Sequence, residues 1–158
     1  MPVPVLLSDL VEALEMSNEN SMSFVDRETG EVKFVENDLL SEAEVWKEGD
    51  PPPSLPEWQK PQWEDALRYF ASAACVPLPD KHDIHEWNIM REFADSFPNE
   101  RIAAKLQEAI HGKGAFRMFK SVLKEYNLWD DWNKFFFEAL VEIAKDWCVA
   151  KNVEYRED

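Results

Sequence analysis

Apolar positions change period along this chain. Leu6, Leu7, Leu10, Val11 and Leu14 recur three and four apart, opposite Asp9, Glu12 and Glu15. That spacing predicts a short amphipathic helix ending near Met16, after an extended start in which Pro2 and Pro4 hold their predecessors out of the helical region. From Ser21 to Val35 the period falls to two. Phe24 and Val25 lead into Asp26-Arg-Glu-Thr-Gly30, and Glu31-Val-Lys-Phe-Val35 leads out, which predicts a β-hairpin with Gly30 supplying positive φ. Val32 and Phe34 then share one side, and Lys33 and Val35 the other. An isolated hairpin is marginal in water, so this one must pack on helices or gain a further strand.

Residues 36–48 are acidic and weakly helical, through Leu39, Leu40, Ala43 and Val45. Asp50-Pro-Pro-Pro-Ser-Leu-Pro56 follows. Its prolines favour a polyproline conformation and can neither continue a helix nor join a ladder, so it reads as a linker. Five helices are predicted beyond it. The first opens at Pro61 and runs through Trp63, Ala66, Leu67 and Phe70, ended by Pro77 and Pro79. The second begins at Asp83 with the stripe Ile84, Trp87, Met90, Phe93 and Ala94. The third runs from about Asn99 to Gly112, the fourth from Gly114 to Asn127, and the last from about Trp129 to Val149.

The reading is α+β by count and mainly α: an N-terminal helix and β-hairpin joined by a Pro-rich segment to a bundle of about five helices. It forms a single domain over residues 1–158, with sub-regions at 1–49, 50–61 and 62–151. About 50 residues holding one helix and one hairpin bury too little to stand alone. Only four glycines in 158 residues argue against an all-β sandwich or barrel.

Charge narrows the function. Acids outnumber bases 32 to 17, for a net charge of −15. An acidic surface repels phosphate backbones, so binding of nucleic acid by bulk electrostatics is disfavoured. The imbalance is uneven: residues 1–53 hold 13 acids and 3 bases, whereas residues 112–126 hold 1 acid and 4 bases. Cys75 and Cys148 are too few for a disulfide framework and sit in apolar contexts that suit buried thiols. The sequence shows no cleavable leader pattern and no apolar run long enough to span a bilayer, which makes the cytoplasm the expected address and a membrane an unexpected partner.

Two places could carry chemistry. His82, Asp83, His85 and Glu86 are metal-ligating types, but their spacing lacks a His-x-x-x-His pair. Asp83 as N-cap with Glu86 three residues on fits a capping box at the head of a helix better. No metal, cofactor or catalytic residue is assigned. The second place is Gly112-Lys113-Gly114 and the helix after it. Lys113, Arg117, Lys120 and Lys124 fall within about 60° of one another on a helical wheel, and Ala115, Phe116, Met118, Phe119, Val122 and Leu123 fill the opposite side. The candidate binding residues are therefore Gly112, Lys113, Gly114, Arg117, Lys120 and Lys124. They suit an acidic protein surface, a phosphorylated ligand or nucleic acid, or else form a solvated face or pair with the chain's own acids. Gly-Lys-Gly is no P-loop, and no activated Ser or Cys nucleophile has its motif. Aromatics crowd the last helix, where Phe135, Phe136 and Phe137 span too wide an arc for one core stripe; Trp58 beside Pro56 and Pro61 either pins the linker or faces a partner.

A family likeness follows from the motifs in order: Asp26-Arg-Glu-Thr-Gly-Glu-Val32, Leu78-Pro79, Asp83-Ile-His-Glu-x-x-Ile-Met-x-x-Phe93, then Gly112-x-Gly-Ala-Phe-Arg-x-Phe-Lys120 and a tryptophan soon after. This series, spread over nearly the whole chain, resembles the bacterial uncharacterised protein family numbered 0158 in the UPF series. Ser121 departs from it, since the pattern sets an acid after the Phe-Lys pair. The resemblance implies a small bacterial cytoplasmic protein and no particular activity. The residues favour a non-catalytic acidic module that binds an unidentified protein partner. The alternative is nucleic-acid or phosphorylated-ligand binding at 112–124, and a third option is a metal-dependent hydrolase at His82, Asp83, His85 and Glu86.

Overall fold

The fold is described from a computed structural model covering residues 2–157, with the side chains of Lys81 and His82 outside the described set. It is α+β and mainly α, as the periodicities require. Residues divide into two compact units, 1–81 with 144–158, and 82–143. The Pro-rich segment lies inside the first.

In the first unit, β1 (Val5–Leu6) leads into helix α1 (Leu7–Glu15), whose Leu7, Leu10, Val11 and Leu14 are buried. Strands β2 (Ser21–Asp26) and β3 (Glu31–Glu36) form the hairpin, antiparallel with Val25 opposite Val32 and Asp26 opposite Glu31. The alternation holds: Val35 is buried while Phe34, on the opposite face, is exposed. The hairpin gains the further strand that its marginal stability demands. That strand is β4 (Cys75–Pro77), antiparallel to β2, in the order β3-β2-β4. The sequence shows Pro77 and Pro79 only as helix terminators, and Pro77 is tolerated because β4 is an edge strand.

Helix α2 (Asn37–Val45) follows β3 directly, and the prolines then run to a tight helical turn at Glu57–Gln59 that continues into α3 (Lys60–Ala71), with Pro61 in its first turn. Helices α2 and α3 cover one sheet face: Phe24, Val35, Leu39, Ala43, Trp63, Ala66 and Cys75 make one cluster. Trp46 meets Trp63 edge-on at 6.1 Å between ring centroids. A second sheet is invisible to periodicity: β5 (Tyr155–Arg156) pairs in parallel with β1, Val5 opposite Tyr155.

Asp26 ties the unit together. It is the one buried charged residue among those described, at 2% exposure. Its carboxylate takes two bonds from the Arg68 guanidinium of α3, from Nε and, at 3.1 Å, from Nη2, and a third from the Glu28 backbone N–H at 3.0 Å. Arg68 also reaches Glu28 at 2.8 Å. The Arg68 hydrogen bonds hold the Asp26 carboxyl below the usual carboxylate range, outweighing the burial that opposes ionisation. Gly30 closes the turn with φ +72, its N–H bonded to the Asp26 carbonyl at 2.8 Å. A Cβ there would stand 2.7 Å from the Pro4 carbonyl oxygen and 2.8 Å from a Val3 methyl.

In the second unit the break between elements differs from the sequence reading. Asp83 does not cap a long helix. It lies within a short helix α4 (Lys81–Ile84), and α5 (Glu86–Ser96) starts afresh after His85, which adopts a left-handed φ of 54. Histidine is among the few non-glycine residues that enter that region readily. The break lets Ile84 be buried independently of the α5 stripe, which is Ile89, Met90, Phe93 and Ala94, with Trp87 half-buried. Asn99 caps α6 (Glu100–Ala109) by accepting from the Arg101 and Ile102 N–H groups. Helix α7 (Ala115–Glu125) ends before Asn127 (φ 55), and α8 runs over Trp129–Lys151. Phe93 is the hub of this core, meeting Phe119, Trp132 and Phe135 at centroid distances of 6.1, 5.4 and 5.3 Å. Of the three consecutive phenylalanines, Phe137 reaches the surface.

Arg68→Met strands a buried carboxylate and costs about 3 kcal/mol, whereas Asp26→Asn removes the charge and leaves an arginine that water can reach, so its cost is smaller. Because the folded pKa of Asp26 lies below its ordinary 3.8, the unfolded chain takes up that proton first as pH falls. The advantage of wild type over Asp26→Asn is therefore full above about pH 4 and shrinks below it, as urea titrations across an acid series will show. Gly30→Ala costs about 2 kcal/mol in the same assay, since it combines left-handed strain with a clash against the Pro4 backbone.

Candidate functional site

The basic segment singled out in the sequence lies in the second unit. Gly112 (φ 96) and Gly114 (φ 72) let the chain turn from α6 into α7, and both are open to solvent where a side chain would meet nothing. Lys113 sits in that turn, ahead of the first helical residue Ala115. Arg117, Lys120 and Lys124 stay on one exposed flank of α7, because three- and four-residue steps return to the same face. The six candidate residues therefore separate: three cations share a helix flank, and Gly112, Lys113 and Gly114 belong to the turn.

The flank is one wall of a shallow groove of about 420 Å³, lined by Phe116, Arg117, Lys120, Ser121, Lys124 and Trp129. Phe116 was expected on the buried side together with Met118. Instead both are exposed, at 46% and 47%, while Phe119, Val122 and Leu123 carry the packing. In the first turn of α7 fewer neighbours surround a side chain, so Phe116 is left overhanging the groove. Trp129, which opens α8, is 39% exposed and bounds the groove too. Wheel periodicity could not find Trp129, because the reversal around Asn127 brings it back beside α7.

Among the described residues no carboxylate lies within ion-pair distance of Arg117, Lys120 or Lys124. Ser121 lies among them in the groove and brings no charge of its own.

The other candidate spans the break between α4 and α5. His85 is the left-handed residue between α4 and α5, Glu86 is the first residue of α5, and the His82 side chain lies outside the described residues. Among the described residues no group of three His, Cys, Asp or Glu side chains is arranged to hold a metal ion. Nor is any helix long and apolar enough to cross a membrane. Trp58 stays 65% exposed beside the proline run.

Cys75 and Cys148 are free and buried. Burial pushes the Cys148 thiol up to about 11, and burial followed by the nearby Asp26 charge pushes Cys75 up as well. Neither is a ready nucleophile. With a chromogenic disulfide reagent near neutral pH, both thiols should resist labelling in the native protein and react rapidly once it is unfolded. Rapid labelling of the native chain would show that one of them is activated.

The groove is thus characterised by its own geometry, and no protein-family model, curated protein or solved structure matches this chain.

Proposed function

We propose that this chain is a non-catalytic interaction module that binds an acidic surface of a partner protein in the groove between α7 and the start of α8. One observation carries the reading: in a chain with net charge −15, Arg117, Lys120 and Lys124 gather on one flank with no carboxylate at ion-pair distance among the described residues. The acidic surroundings repel an acidic partner from other approaches, and the basic flank attracts it in one orientation, so the charge pattern sets register and encounter rate. Phe116 and Trp129 supply apolar contact area beside those charges. Aromatics at the centre of a contact contribute most of its affinity, and charges at its rim contribute specificity.

A second reading places a phosphorylated ligand or a single strand of nucleic acid in the same groove. Exposed rings flanked by cations also suit base stacking against a phosphate chain. Three cations give that mode a shallow dependence on salt and a weak hold, and the remaining negative charge opposes a long phosphate backbone. The ordered motifs support kinship with the uncharacterised bacterial family 0158, and the paired absence of disulfide and membrane span supports a cytoplasmic address; both belong to this proposal.

The test is copurification from nuclease-treated source lysate with wild type, Lys113→Glu, and the triple variant Arg117→Glu, Lys120→Glu, Lys124→Glu. A partner held by wild type and by Lys113→Glu, and lost by a triple variant whose circular dichroism is unchanged, is the expected result. Equal recovery with all three proteins would make the flank an ordinary solvated face. Material recovered by wild type only when the nuclease is left out would shift the assignment to nucleic acid.

A further inference from the structure

A separate cavity, of about 330 Å³, lies in the second unit between the end of α5 and the first turns of α8. It shares no residue with the α7 groove. Its volume falls at the low end of the range of about 300–1,000 Å³ that small-molecule sites occupy.

The floor is aromatic. Phe97 and Phe135 meet Phe93 at centroid distances of 5.5 and 5.3 Å, inclined to it by 56° and 63°. Phe93 is buried, whereas Phe97 and Phe135 are half-buried, and Pro98 extends the apolar wall. Ser96 completes that wall, but its hydroxyl already donates to the Phe93 carbonyl at 3.3 Å.

The rim is charged. Asp131, Lys134 and Glu138 recur three and four residues apart, on the flank of α8 that also carries Phe135. Such spacings bring opposite charges within reach, yet among the described residues none of the three is in an ion pair. Two carboxylates against one ammonium leave the rim net negative. The end of α5 adds to this, because Ser96 closes the helix within the same wall and a helix C-terminus carries partial negative charge.

We propose that this cavity binds a small organic cation, a primary ammonium on an apolar body. The body packs on Phe93, Phe97 and Phe135, and the ammonium donates charge-assisted hydrogen bonds to Asp131 and Glu138 at the rim. Lys134 is the site's internal rival: it stands between the two carboxylates along the helix, so its ammonium competes with the ligand for them. An anionic ligand has one cation to meet and two carboxylates and a helix C-terminus against it. A neutral apolar ligand gains the rings alone. This site stands independently of the reading given to the α7 groove.

The probes are phenethylammonium, phenethyl alcohol and 3-phenylpropionate, each titrated into the full chain while backbone amide shifts are followed by NMR. Phenethylammonium should move the Ser96, Phe97, Lys134 and Phe135 amides saturably. The alcohol should bind at the same residues about tenfold more weakly, and the propionate should not bind. Asp131→Asn with Glu138→Gln should lower affinity for the cation about tenfold and leave that for the alcohol unchanged, which also shows that the cavity is intact. Lys134→Gln should raise affinity for the cation about threefold, a gain that a merely structural role for Lys134 does not produce. Equal affinity for the cation and the alcohol would make the cavity a plain apolar recess and overturns the proposal. An absence of saturable shifts at these residues up to about 10 mM phenethylammonium overturns it as well.

Discussion

The Asp26–Arg68 pair is the constraint on which the first unit depends. Asp26 ends β2 and starts the hairpin turn, and Arg68 lies on α3 beyond the proline run, so one interaction joins segments 42 residues apart. A carboxylate at 2% exposure is tolerated only because its lone pairs are filled by a guanidinium and a backbone N–H. Around this anchor, Arg27 accepts from the Val3 N–H and donates to the Ala74 carbonyl, which draws the N-terminal strand and β4 to the same corner. The turn, the third strand and the N-terminal segment therefore share one electrostatic anchor, and Gly30 supplies the space that lets them meet.

By fixing the turn, that anchor also fixes β3. Gln62 and Asp65 of the same helix α3 then engage the Glu36 N–H, on the outward edge of the strand, and the Lys33 ammonium. The α7 groove has a different origin. It rests on helix geometry, which keeps three cations on one flank, and on the reversal that brings Trp129 alongside.

Much of the fold was legible in the sequence. Leu7, Leu10, Val11 and Leu14 repeat at helical spacing because that spacing buries them together, and Val35 alternates with Phe34 because a strand has two faces. Asn99 marks a helix start, and Gly114 and Asn127 bracket α7, for local reasons of capping and positive φ. The reading failed where a local rule met a tertiary demand. Asp83 and Glu86 matched a capping box, yet burial of Ile84 is served by a break at His85. The three-residue strand at Cys75 and the two-residue pair Val5–Tyr155 are too short to show any period; they exist only because distant partners complete them. In the α7 groove, helical spacing announced that Arg117, Lys120 and Lys124 share a flank, while the tertiary structure set Gly112, Lys113 and Gly114 in the preceding turn and brought Phe116 and Trp129 into the lining.

What the sequence by itself determined is therefore local: the helices, the hairpin, the proline break, the acidic balance and the single basic flank. Those features depend on neighbours a few residues away, through backbone geometry and the repeat of side chains along one face. Only the tertiary structure decided which charges would be paired and which left open. Among the described residues it buried Asp26 against Arg68, left Arg117, Lys120 and Lys124 without a carboxylate at ion-pair distance, and set β3 at the edge of its sheet. Pairing and exposure depend on distances between segments far apart in the chain, and no local periodicity encodes those distances.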